Sequence, residues 1–154
     1  MMQPIPTTQF ELPPEGRRGG RPAQSQVRDL LATFYAPTDL GERRRSSRYP
    51  FPYLIRLHPV GSDGRSPDPD QQTIVVVGKH LSEDGLGFYH REPISHRRMI
   101  ASLESSDGVT HAFVIDLSWC RFTKQGWYES GGRFLESVTM VQGEVAALGE
   151  LPTP

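Results

Sequence analysis

Tyr49-Pro50-Phe51-Pro52-Tyr53-Leu54-Ile55-Arg56-Leu57-His58 is where the chain changes its hydrophobic period. Tyr49, Phe51, Tyr53, Ile55 and Leu57 alternate with Pro50, Pro52, Leu54, Arg56 and His58. Successive side chains of an extended chain point to opposite faces, so this alternation describes a strand with one buried face. Proline has no amide to donate to a neighbouring strand. Pro50 and Pro52 therefore assign the segment to a strand start, an edge or a bulge.

Upstream the period is helical. Val27, Leu30, Leu31 and Phe34 fall at i, i+3, i+4 and i+7, which predicts a helix over 25–36 with Ser25 as N-cap and Pro37 as its stop. Such a stripe is more often a docking face against the same domain than a separate partner site. Residues 1–24 are rich in proline, glycine and arginine, with few large apolar side chains, and read as a disordered leader. Residues 37–48 form a polar, arginine-rich connector into the strand.

Downstream, residues 61–72 make a long loop. Thr73–Val77 and Leu86–Tyr89 are short β-branched or aromatic strands. Met99, Ala101 and Leu103 share one face of a strand over about 97–104, and Asp107-Gly108 is a turn. Phe113, Ile115, Leu117 and Trp119 line one face of the next strand, which leaves Asp116 and Ser118 on the exposed face; Cys120, by residue type, reads as a small core residue with no nearby base to activate it. After the turn Lys124-Gln125-Gly126 a last strand begins at Trp127, with Trp127 and Tyr128 packing in the core or at the rim. Short strands with regular turns argue for an all-β sandwich or barrel over 37–137. Val138, Val141, Val145 and Leu148 give the tail, 138–154, a weak helical pattern.

With 154 residues the chain is one domain by length, and its 36% apolar content supports a core of modest size. A single cysteine rules out an internal disulfide and fits a reducing cytoplasm. Nothing resembles a signal peptide or a membrane-spanning run. The net charge of −1 makes the arginine cluster a local feature.

Arg43, Arg44 and Arg48 are that feature: an R-R-x-x-x-R segment immediately before the first strand. Guanidinium groups are planar, permanently charged and rich in donors, which suits phosphate oxygens and guanine edges. Alone, such a run is usually a solvated linker. A second motif follows one strand later, where His80, Ser82 and Gly85 stand in an x-x-S-x-x-G turn between two strands. The hydroxyl and turn amides suit a polar ligand edge, while glycine permits a positive φ or a close backbone approach.

In this order and spacing the two motifs resemble the PilZ domain family. Leu86-Gly87-Phe88 and the closing Gly126–Phe134 stretch add to the likeness, which covers about residues 42–136. The resemblance implies a six-stranded antiparallel β-barrel that binds cyclic di-GMP. It assigns Arg43, Arg44 and Arg48 to the ligand's phosphates and guanines, and His80, Ser82 and Gly85 to its opposite side. The extra Arg43 implies an intercalated ligand dimer. It further implies a protein partner to which the signal passes, with the helix repositioned by binding.

His80 departs from the family, which has Asp or Asn there. A neutral imidazole offers one acceptor and one donor instead of two acceptors. Losing one charge-assisted hydrogen bond weakens binding by about 1.5–3 kcal/mol. The alternative reading is a degenerate barrel that has lost the nucleotide and serves only protein interaction.

Other chemistry finds no support in the sequence. No histidine has metal-ligand spacing, no nucleophile elbow or phosphate loop stands out, and no cofactor or enzymatic activity is expected. Nucleic-acid binding is not expected either, because the net charge is near zero and no aromatic platform is evident, and membrane insertion is not expected because no apolar run approaches spanning length.

Overall fold

The computed structural model describes residues 10–11, 23–35, 47–64 and 66–140. Its centre is a closed antiparallel six-stranded barrel, one of the two architectures that the alternation allows and the one that the resemblance implies. β1 is Phe10–Glu11, α1 Ala23–Ala32, β2 Tyr49–Pro50 and β3 Leu54–Pro59; β4 is Ile74–Leu81, β5 Gly85–His90 and β6 Arg98–Glu104. β7, Thr110–Phe122, and β8, Tyr128–Met140, form the long closing hairpin. The ring runs β3-β4-β5-β8-β7-β6 and returns to β3, every neighbour antiparallel. β1 pairs with the end of β8 outside the ring, and β2 pairs with β4 ahead of β3. Closure leaves no long unpaired edge.

The two prolines act as their chemistry requires. The 49–58 segment is two strands, β2 and β3, interrupted at Phe51–Tyr53. Phe51, Ile55 and Leu57 are fully buried, whereas Tyr53 is 47% exposed. The amides of Phe51 and Gly78 still bond across the interruption, to the carbonyls of Lys79 and Tyr53. Met99, Ala101 and Leu103 enter the main core with Phe113 and Ile115, and both expected turns carry a positive-φ glycine, Gly108 and Gly126.

β7 corrects the simple alternation. Its register against β8 shifts between Val114 and Ile115 and again between Leu117 and Trp119. The first is an extra residue in β8, Leu135; the second is an extra residue in β7, Ser118, and re-aims the β7 side chains beyond it. Trp119 is thereby turned outward and is exposed; Asp116 keeps the face opposite Ile115 but is buried, at 6% exposure, beneath Arg97 and Arg133, and Cys120 is exposed with the whole 118–122 end of β7. Trp127 is also exposed, while Tyr128 stacks on His90.

Helix α1 begins two residues before the expected start and ends at Ala32, so Ser25 lies inside it and is not the N-cap. Thr33 to Tyr35 continue as a turn held by amide bonds to Leu30 and Leu31. Val27, Leu30 and Leu31 are buried in the barrel's main core. The stripe is thus a docking face against the same domain. Residues 138–140 of the expected helical tail belong to β8, and the expected disordered leader contributes β1 at 10–11 and the start of α1 at 23–24; the rest of the tail, the leader's 1–9 and 12–22, residue 36 and the connector's 37–46 lie outside the described residues. No described helix is long and apolar enough to cross a membrane.

Candidate ligand site on the outer face of the barrel

The turn between β4 and β5 is built by Ser82. Its amide donates to the Gly85 carbonyl at 2.9 Å, and its hydroxyl oxygen accepts from the amides of Asp84 and Gly85, both at 3.2 Å. The hydroxyl therefore shapes the turn. Gly85 has no positive φ. Its need is space, because a Cβ there would lie 2.2 Å from the Gly132 carbonyl oxygen on β8.

His80 follows a bulge between Gly78 and His80 and pairs with Gly87 on β5. Its ring covers Gly87 so closely that a Cβ on that residue would meet Cε1 at 2.6 Å. Burial holds the His80 pKa below its ordinary value of 6.5, and the positive charges of Arg48 and Lys79 lower it further. The ring is thus biased towards neutral.

Arg48 is exposed and immediately precedes β2. Tyr49 pairs with Leu81 and Pro50 with His80, so the antiparallel register brings Arg48 level with Ser82. The last arginine of the cluster and the x-x-S-x-x-G turn meet on one outer face. Arg43 and Arg44 lie outside the described residues. The connector's two ends are adjacent: the Tyr35 and Tyr49 rings are 5.5 Å apart, and the Tyr35 hydroxyl donates to the Pro50 carbonyl at 2.5 Å. Helix α1 also reaches the turn directly, where Arg28 pairs with Glu83 at 2.5 Å.

Trp119 was missed by the sequence reading. Gly87 pairs with Gly131 on β8, and Gly131 with Trp119 on β7. The indole covers Gly131, whose Cβ would meet Nε1 at 2.3 Å. Two directly opposed glycines thus carry two rings, His80 and Trp119, the latter 42% exposed. Together they pave a flat aromatic surface beside Arg48. Gly131-Gly132 was the available signal, since glycine in a strand marks close approach. The bulge that turns Trp119 outward has no sequence mark.

Cations ring this surface, held up by two buried carboxylates. Glu129 on β8 accepts from Lys79 at 2.6 Å and Arg121 at 2.8 Å. The hydrogen bond with Lys79 is the main reason that the Glu129 pKa is lowered and the Lys79 pKa raised. Asp116 pairs with Arg97 at 3.0 Å and lies 3.8 Å from Arg133. The Arg97, Arg121 and Arg133 side chains are each at least 66% exposed. Such a surface can bind an anion that has a planar ring system.

The described residues contain no cluster of His, Cys, Asp or Glu suited to a metal. Buried His90 links the Glu92 carbonyl and the Ser130 hydroxyl, both at 2.7 Å, and is satisfied as a core residue. No family model, curated protein or solved structure matches the chain.

Proposed function

We propose that this chain is a PilZ-like module that senses cyclic di-GMP and passes the signal to a protein partner. The observation that carries the reading is the juxtaposition of Arg48 with His80 and the Ser82–Gly85 turn through the β2–β4 pairing. Arg43, Arg44 and Arg48 supply cations to the phosphates and guanine edges. His80 and Trp119 supply flat surfaces for a purine, and the charge of the guanidiniums is complementary to a cyclic phosphodiester. Two purines stacking between these groups fit the intercalated dimer. The connector joins α1 on one side and β2 on the other, so a ligand held by its arginines acts on the helix.

Titration calorimetry with cyclic di-GMP tests this. Wild type is expected to give saturable heat, Arg44→Ala to lose it, and His80→Asp to bind about 10- to 100-fold more tightly, by restoring a charged acceptor. Heat that survives Arg44→Ala would remove the arginine assignment. A second reading, a barrel used only for protein interaction, is favoured by an apolar strip on β3 and β4, where Leu54, Val75 and Val77 are 65%, 55% and 46% exposed. Absence of heat at millimolar ligand would select that reading.

A further inference from the structure

The cationic aromatic surface continues past the region next to Arg48. Alternate residues of β8 and Trp127, just before its start, carry it along one face. Trp119 covers Gly131; Glu129, two residues on, holds Lys79 and Arg121; Trp127, two further, lies under Arg91, whose guanidinium is 4.9 Å from the indole centroid. Lys79 also sits 5.6 Å over the Tyr89 ring. Trp127 is 39% exposed. Trp127 is four positions before Gly131, so the backbone positions at which the two indoles sit stand about 13 Å apart along one face.

From this arrangement we infer that the outer face of β5, β8 and β7 binds single-stranded nucleic acid. Two exposed indoles on one line give base-stacking stations, and stacking on an aromatic ring needs no particular base. The cations between and beside them fit a phosphate backbone that passes from one station to the next. The charge is complementary despite the chain's net charge of −1. Glu129 and Asp116 lie buried beneath their cations, with side chains 4% and 8% exposed, whereas the guanidiniums reach solvent. Trp127 and Arg91 lie on the hairpin end, away from the Ser82 turn. The face is therefore longer than the region assigned above to a cyclic dinucleotide. This inference rests on the indoles and on Lys79, Arg91 and Arg121, and does not require the arginine segment.

Fluorescence anisotropy of the full chain with a labelled oligothymidylate of about twelve nucleotides, within the site sizes of single-strand binders, tests it. Saturable binding is expected at about 50 mM salt. Affinity should fall on a log–log plot against salt with a slope of about −0.7 for each phosphate neutralised. Trp119→Ala and Trp127→Ala are each expected to weaken binding at least about fivefold, as the loss of one stacked base does. Both side chains are substantially exposed, so the variants should keep the fold, which their thermal midpoints check. An abasic oligonucleotide of equal length should bind at least about tenfold more weakly, because it keeps the phosphates and loses the stacking. Absence of binding, equal binding of the abasic strand, or indifference to both tryptophan substitutions would overturn the inference. Cyclic di-GMP heat, read on the same proteins, reports the earlier proposal separately, so either can fail alone.

Discussion

At His80, burial and charge act in the same direction. The ring is half-enclosed over Gly87, and Arg48 and Lys79 stand close enough to disfavour a second proton. A histidine whose folded pKa lies below its unfolded value makes the unfolded chain the stronger proton binder, so stability rises with pH. The contribution is complete above 6.5, the ordinary value, and is lost as pH falls through 6.5 towards the lower folded value. The thermal midpoint of wild type should therefore drop between about pH 7.5 and pH 5.5, on either side of an ordinary histidine pKa. His80→Gln should drop less, since it has no proton to gain. Identical pH profiles for the two proteins would show that the ring titrates freely. At this scale the sequence is legible in part. His80, Ser82, Gly85 and Arg48 could be read because spacing puts them in one turn or directly before one strand. Trp119 could not, because its direction depends on a bulge. Asp116 and Cys120 went astray for other reasons: Asp116 lies on the expected outer face but is covered by Arg97 and Arg133, and Cys120 lies in the 118–122 end of β7, which is exposed on both faces.

Among the elements, α1 bears most directly on signalling. Its two kinds of attachment differ in weight. The Arg28–Glu83 pair has an arginine side chain that is 61% exposed, and an exposed pair of this kind contributes about 0–1 kcal/mol. The hydrophobic attachment is much stronger, because Val27 and Leu30 are fully buried against the barrel. Leu30→Ala removes buried methyl groups and leaves a cavity, at a cost of about 2–5 kcal/mol. Urea denaturation should show that loss in a single transition. A change below about 1 kcal/mol would mean that the helix separates from the barrel without disturbing it. The elements themselves were largely legible. The 3.6 period of Val27, Leu30 and Leu31 and the period of two from Tyr49 onward are strong signals, because each marks one buried face. The boundaries were less so. Phe34 continues the stripe but leaves the helix to stack on Tyr53, with ring centroids 4.9 Å apart. A contact of that kind satisfies the same apolar pattern from a turn.

For the whole molecule, the proposed ligand site draws on elements that are far apart in the chain. Arg48 comes from the start of β2, His80 and Ser82 from β4 and its turn, and Trp119 from the hairpin that closes the ring. Through Glu83 and Pro50 the same region holds α1 and the residues just after it. A ligand bound across these parts stabilises the closed ring and the docked helix together. Cyclic di-GMP at about 100 times its Kd should add about 2.7 kcal/mol to the native state. For a chain of this size that raises the unfolding midpoint by roughly 5–10 °C. Scanning calorimetry should record one transition that moves as a unit. Loss of helical circular dichroism should follow the same curve, since α1 is part of the barrel's main core. A ligand-dependent split into two transitions would place the site on one part of the structure only. The helix would then be an attachment that the nucleotide does not reach, and the route from ligand to partner would have to leave the barrel elsewhere.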